Sequence, residues 1–296
     1  MTVRMADLTD ADVAAERARL PAAFTTSLRE RIAFWLKWGG GTLLTVYCLY
    51  RFDFFSLDFL HGMGKFGSVV VSQLFPPTGW EHLPLFIKAI GETIAMAFLG
   101  TLLGALLAFP LSFLASKNIT RSRPLQFGVR RFADLLRSFD YLIWALIFVR
   151  AIGLGPLAGI MAIAIVETGT FIKLYSEAIE NLDRKQIDGV TAAGGNGLHR
   201  IRFGVLPQVL PMMLSNTLYM FEHNTRSASI LGIVGAGGVG FLLTDRMRAY
   251  ELQEACLIII LVVLTVYAID FLSKVLRERL IGDHERREPV DDAVQV

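Results

Sequence analysis

Glu222 and Arg226 stand four residues apart with the acid first, the better order for a helical ion pair, and His223, Asn224, Ser227 and Ser229 lie around them. This is the densest polar patch beside any apolar stretch of the chain. Two chemistries fit it. One is an internal pair that neutralises itself at a helix interface. The other is a guanidinium that, with nearby amide and hydroxyl donors, complements an anionic oxygen cluster along a pathway. Glu92 and Glu167 also fall inside apolar stretches. Their carboxylates would repel an anion, so they are expected to accept hydrogen bonds or pair with a cation, in structural or gating roles.

A second constellation is the polar, glycine-broken run Asp188-Gly189-Val-Thr-Ala-Ala-Gly194-Gly-Asn-Gly197, which leads to Leu206-Pro207. Ile187, Val190 and Ala193 share helical spacing, as do Leu198, Ile201 and Val205, and the residues between them are polar. The pattern predicts two short amphipathic helices meeting at a bend over Gly194–Gly197, because glycine and asparagine tolerate positive φ. Pro207 is then placed at the start of the next helix, where its missing N–H is harmless. The run reads either as a segment held by something outside the membrane or as an amphipathic helix on lipid headgroups.

The glycines Gly235, Gly237, Gly238 and Gly240 spell a dinucleotide-binding fingerprint, but no strand–helix–strand context surrounds them. They are expected to form flexible or closely packed backbone, a re-entrant turn or gate near the external membrane face. Gly64-Lys65 is followed by Phe66, so it makes no phosphate loop, and there is no H-E-x-x-H or other clustered metal or nucleophile arrangement. No catalytic residue, metal site or cofactor of its own is expected, and the motifs give no reason to expect an enzyme.

The elements that must position these groups belong to a membrane. Hydrophobic residues make up 53% of the 296, charged residues only 19%, and the mean hydropathy is +0.50. A net charge of +2 gives no reason to expect a nucleic-acid partner. Cys48 and Cys256 lie in apolar stretches and are expected to pack as small hydrophobes. Six regions approach the length of a crossing, at 33–51, 86–115, 139–153, 156–175, 205–223 and 254–273. The spacing of Gly100, Gly104 and Ala108 sets small residues on one face of the second, suited to close helix packing. Basic residues concentrate in 116–138, 176–204 and after the last span, whereas 52–85 is acidic on balance. The bias puts the former, and both termini, on the cytoplasmic side. Residues 1–32 read as a retained cytoplasmic arm and 281–296 as a cytoplasmic tail.

From Asp188 to Pro207 the chain resembles the cytoplasmic coupling motif of ABC importer permeases: Asp188, Gly194, Leu206 and Pro207 keep its register. It departs from the common form by Asp for Glu at 188, by Gly189 and Val190 for two alanines, and by Ala193 for an acidic residue. Over about 86–280 the chain is similar to phosphonate ABC transporter permeases. The residues that carry this are Glu92-Thr-Ile, Leu99-Gly-Thr-Leu-Leu-Gly-Ala-Leu-Leu-Ala108, Trp144-Ala-Leu-Ile-Phe-Val and Gly153-Leu-Gly-Pro. Tyr219-Met-Phe-Glu-His-Asn-Thr-Arg-Ser-Ala228 and Leu231-Gly-Ile-Val-Gly-Ala-Gly-Gly-Val-Gly240 complete the set. Phe139 stands where that family would carry proline.

The resemblance implies an all-α integral membrane protein of about six transmembrane helices, like a type I ABC importer permease, in a bacterial inner membrane. It implies a first helix and external loop over 33–85, a permease core over 86–280, and a coupling segment over 183–203. The implied partners are a second copy of the chain, two cytoplasmic ATP-binding subunits that hold ATP and Mg, an extracytoplasmic substrate-binding protein, and membrane lipid. The implied cargo is phosphonate or a related phosphorus oxyanion. An ion-coupled secondary transporter, with Glu92, Glu167 and Glu222 carrying protons, is the alternative, and a membrane-embedded enzyme a third class.

Overall fold

The computed structural model describes residues 28–52, 54 and 57–285, and every regular element among them is helical. Most of the expected arm over 1–32 and of the expected tail over 281–296 lies outside these residues. The chain divides into two compact units, Met1–Val71 and Ser72–Val296. The first holds α1 (Leu28–Arg51) and α2 (Leu57–Ser68). α1 covers the expected span 33–51, but Lys37 and the glycines at 39–41 dilute its apolar character. Trp35 and Trp38 stand 70% and 67% exposed beside Phe34, with ring centroids 6.2 Å apart, an aromatic group of the kind that settles at the headgroup level. Cys48 is exposed on α1 rather than packed, whereas Cys256 is buried.

The second unit contains α3 (Leu83–Ala115), α4 (Arg123–Leu136), α5 (Tyr141–Ile152), α6 (Pro156–Glu180), α7 (Arg184–Ala192), α8 (Leu206–Leu231), α9 (Val239–Arg248) and α10 (Leu252–Glu285). Among the described residues three helices are long and apolar enough to cross a bilayer: Trp80–Ala115, Pro156–Glu180 and Leu252–Glu278. A fourth crossing results if Gly197–Val234 and Val239–Arg248, bent by 45°, count as one. The expected span 139–153 forms only the 12-residue α5, about 18 Å long at 1.5 Å per residue and too short to cross alone. Its limits are chemical. The Asp140 carboxylate caps its start by accepting from Leu142 N at 3.2 Å, and Gly153 ends it in a conformation that side chains avoid, with φ +105°.

α6 is the centre of the unit, packed against α3, α4, α5 and α8. Of its most apolar window 61% is buried in protein, against 33% for α3 and 28% for α10, so α6 is enclosed by the chain and the other two leave broad sides uncovered by it. Small residues make this possible. A Cβ on Gly100 would lie 2.7 Å from Ile163 Cβ, and one on Gly104 would lie 2.7 Å from Glu167 Cβ. The Gly100, Gly104, Ala108 face therefore lets α3 and α6 approach to backbone contact, where dispersion replaces the hydrophobic drive that lipid cannot supply.

Candidate coupling segment and polar path

The run between α6 and α8 is an exposed bent handle. Asp183 caps α7 by accepting from Lys185 N at 3.0 Å. α7 ends in a turn in which Gly194 takes φ +80° and Gly195 N donates to Val190 O at 2.9 Å. Asn196 then starts the next turn, accepting from His199 N at 3.0 Å. The first expected amphipathic helix is α7. The second is not separate: Gly197–His199 and the π-helical turn Arg200–Val205 run on into α8, making one helical run Gly197–Val234. Pro207 sits in the first turn of α8, as its missing N–H requires.

Asp188, Gly189 and Gly194 are exposed, and neither glycine has any neighbour within 4 Å of a would-be Cβ. Leu206 is half-buried and Pro207 exposed. The handle packs on the core through Ile187, which Gly204 passes so closely that a Cβ would come within 3.2 Å of its Cα. Beside that point a cavity of about 210 Å³, lined by Ile119, Ile179, Ile187 and Ile201, leaves the rest of the α7 face unfilled. Leu198, expected on the inward face with Ile201 and Val205, points outward instead and is 74% exposed. Phe203 is exposed as well, its ring stacked on His199 and covered by the Arg202 guanidinium 5.5 Å from its centroid.

The root of the handle is tied where α3 and α6 end beside α4. Glu180, the last residue of α6, accepts from Lys117 N at 2.7 Å and pairs with Arg130 of α4. Asn118 Nδ2 donates to the carbonyl oxygens of Ile179 and Glu180 at 3.2 and 3.0 Å, and Arg130 Nε donates to Ala115 O at 2.9 Å. The orphan carbonyls at the ends of α3 and α6 are thus satisfied by side chains from the 116–138 connection. On the same helix the hydrogen bond from Arg137 to Asp134, at 2.8 Å, holds that carboxyl below the usual carboxylate range. Sequence reading treated 116–138 only as a source of positive charge and missed this knot.

The polar patch on α8 splits into two sets. Arg226 Nη2 donates to Glu222 Oε1 at 3.1 Å and to Asp270 Oδ2 of α10 at 2.8 Å, and Arg277 Nη2 donates to Glu222 Oε2 at 2.9 Å. Two acids and two bases close a network of zero net charge, and Arg277 also lies over the Tyr219 ring at 5.7 Å. The expected Glu222–Arg226 pair is present. Asp270 and Arg277, 44 and 55 residues away from their partners, carried no local signal beyond an acid inside an apolar span. His223 is exposed and Ser227 half-exposed beside this network.

Asn224 and Ser229, expected with that set on the pathway, turn inward. Asn224 is fully buried and donates to Thr101 Oγ1 of α3 at 2.9 Å, and Ser229 Oγ donates to Thr225 O at 3.1 Å. Asn224 is one and two residues from the exposed His223 and Arg226, so it points to another side of the helix, where α8 packs on α3. Glu167 is fully buried on α6 and accepts from the Tyr141 hydroxyl at 2.7 Å, whereas Glu92 is half-buried on α3.

Between α8 and α9 the glycine run forms a packed turn. Gly155 N donates to Gly235 O at 3.1 Å, and Val239 N donates to Thr93 Oγ1 at 2.8 Å. Gly237 abuts Pro156, where a Cβ would lie 2.8 Å from the ring nitrogen, and a Cβ on Gly238, which has φ +72°, would lie 2.5 Å from Thr93 Oγ1. At every glycine of this turn the backbone approaches protein closely.

Comparison with known proteins agrees with this architecture. Residues 100–282 match the model of the binding-protein-dependent transport system inner membrane component family. The chain is 36% identical over 214 residues to the phosphite transport system permease protein of Stutzerimonas stutzeri, covering 71% of this chain and 76% of that one. It is 34% identical over 271 residues to the phosphate-import permease protein of Mycolicibacterium smegmatis, covering 91% of this chain but only 50% of that longer one. Among solved structures, a chain of the MetNI methionine ABC transporter superposes with a TM-score of 0.60 at 20% identity, over 69% of this chain and 99% of that one. A chain of a bacterial ABC transporter involved in alginate import does so with a TM-score of 0.56 at 16% identity, over 83% of this chain and 99% of that one. The shared fold is that of a type I importer permease. The chain belongs to the binding-protein-dependent transport system inner membrane component family, the permease components of ABC importers.

Proposed function

We propose that the chain forms the translocation pathway of an ATP-driven importer for phosphonate or a related phosphorus oxyanion such as phosphite or phosphate. The observation that carries the cargo is the company it keeps: relatives at 34–36% identity over most of its length are named for phosphite and phosphate transport. Two copies would enclose the path within a bacterial inner membrane, with an extracytoplasmic binding protein delivering cargo. Two ATP-binding subunits, which hold ATP and Mg, would grip the 183–203 handles. The basic 116–138 and 176–204 connections support a cytoplasmic handle and cytoplasmic termini. In this scheme 1–32 and 281–296 are cytoplasmic extensions, 33–85 a first helix and loop, and 86–280 the transporting core.

The mechanism follows from where the handle is loose and where it is tied. ATP-driven closure of the motor subunits moves α7, which rests on the core through Ile187 and is rooted at Glu180. Force therefore enters α3 and α6 together at the Asn118–Arg130–Glu180 knot, and α8 directly through the Gly197–Val234 run. The two ends of the lever belong to the helices that must separate for access to switch, a two-state change biased by ATP. Along the path, both carboxylates contact Arg226 through Nη2, and the N–H groups on its Nε and Nη1 are the donors left for an oxyanion, near His223 and Ser227.

The test is uptake into vesicles holding the permease and its ATPase, with the binding protein outside. ATP-dependent accumulation of methylphosphonate, phosphite or phosphate is expected. Arg226→Ala should lower it by about tenfold while leaving the affinity of the binding protein unchanged. Accumulation that needs a proton gradient and no ATP would contradict the proposal.

A further inference from the structure

Between α4 and the C-terminal half of α6 lies a pocket of about 190 Å³, apart from the handle and from the α8 network. Arg130 and Arg131 of α4, Arg137 just beyond it and Lys173 of α6 line it, with Asp134, Ser176 and Glu177 among them. Backbone fixes its shape. A Cβ on Gly169 of α6 would lie 2.6 Å from Ala133 O and 3.1 Å from Arg137 N, so the end of α4 is seated on α6 with no room to roll. Buried Ala133 and Ile172 give the wall an apolar part. The Asp134 carboxylate sets two guanidinium groups side by side, pairing Oδ1 with Arg137 Nη2 at 2.8 Å and Oδ2 with Arg131 Nη1 at 3.0 Å. Phe127 steadies the second, its ring centroid 5.2 Å from Arg131 Cζ.

These pairings leave donors over. Among the described residues no acceptor meets Arg131 Nε and Nη2, Arg137 Nη1 or the Lys173 ammonium, whose paired carboxylate, Glu177, stands at 3.8 Å and so beyond hydrogen-bond reach. Arg130 is engaged with Glu180 and Ala115 O. Asp134, Glu177 and Glu180 thus answer four bases, and one positive charge remains. Planar guanidinium donors beside an ammonium match the oxygens of a phosphoryl group. The cavity is smaller than the roughly 300 Å³ at which drug-sized pockets begin, as suits so small a group. We propose that this pocket binds a phosphoryl anion, carried either by a free oxyanion on the inner side of the membrane or by the headgroup of an anionic lipid in that leaflet. Only the naming of that side rests on the proposed orientation. Lys173 is seven residues, about 10 Å, from the Glu180 end of α6, within reach of either source. A phosphoryl group held there braces α4 against α6 beside the knot that roots the handle.

The test uses neither ATP nor binding protein, so a failed pocket and a failed import reading are told apart. The permease with its ATPase, in phosphatidylcholine nanodiscs, is dialysed to equilibrium against radiolabelled inorganic phosphate. In parallel, phosphatidylglycerol retained on the complex after extraction from mixed nanodiscs is counted by native mass spectrometry. The double variant Arg131→Gln, Lys173→Gln should weaken one of the two by at least about tenfold. Lost phosphate binding names the free oxyanion as the ligand, and lost phosphatidylglycerol names the headgroup. Both side chains are exposed, so the double variant should melt with the wild type. Should it not, Lys173→Gln alone is expected to show the same loss in smaller measure. Lys274→Gln, which breaks a similar pair with Glu278 on α10, should change neither quantity. Phosphate binding and phosphatidylglycerol retention both unchanged in the pocket variants would overturn the proposal, as would an equal loss in Lys274→Gln.

Discussion

α8 is bounded by two glycine-broken segments of similar spelling, and they are put to opposite uses. At its start, Gly189, Gly194 and Gly197 meet nothing within 4 Å of a would-be Cβ, and the chain around them is exposed. At its end, Gly232, Gly235, Gly237, Gly238 and Gly240 are each pressed against protein, and most of that turn is buried. The first segment spends glycine on the path of the chain, one positive φ at Gly194 turning α7 back toward α8. The second spends it on proximity, letting α8, α9 and the 153–156 turn touch through backbone. An open glycine joint leaves its surroundings to a partner, and a closed one is its own partner.

Substitutions should divide along that line. The largest effect is expected at the closed joint: a Cβ on Gly240 would overlap the Ser229 carbonyl oxygen, which cannot withdraw without breaking α8. Gly240→Val should destabilise by about 3 kcal/mol, the upper end for over-packing, and show as lost folded protein in a thermal melt of the purified subunit. At the open joint, Gly194→Leu meets no steric wall and costs about 1–2 kcal/mol locally for its positive φ. It should insert normally yet hydrolyse several-fold more ATP per molecule imported, which parallel hydrolysis and uptake assays measure. Replacing the exposed Leu198 and Phe203 together by alanine should leave the melting temperature unchanged and weaken ATPase binding by about 1–2 kcal/mol, read as roughly tenfold in a titration. Gly189→Ala is the smallest: in open space on α7 it should gain up to about 1 kcal/mol of helix propensity and leave transport intact.

Much of this contrast was legible from residue order alone. Asp188, Gly194 and Leu206-Pro207 place the handle and its bend because backbone conformation is local, and the Gly100, Gly104, Ala108 spacing marks a packing face for the same reason. What depended on distant chain was hidden. Leu198 shares helical spacing with Ile201 and Val205, yet the run through Arg200–Val205 is π-helical, so a spacing counted on an α-helix does not hold across it, and Leu198 is exposed. Asn224 reads as one of a polar set with His223 and Arg226, but only the position of α3 reveals that it faces Thr101. Glu180 and Arg130 look like ordinary surface charge until the ends of α3 and α6 are seen to meet beside α4. The apolar 139–153 stretch suggests a crossing, whereas the Asp140 cap and the Gly153 turn limit α5 to 12 residues.

The account rests most heavily on the exposed handle being held by a separate motor. A single cysteine in place of Leu198, in a chain whose Cys48 and Cys256 have been replaced, is cross-linked in native membranes with a short thiol-reactive reagent. The account predicts one major adduct, with a nucleotide-hydrolysing subunit, whose formation blocks ATP-driven uptake. Efficient labelling of that cysteine with no hydrolase captured, and uptake unaffected, would contradict it.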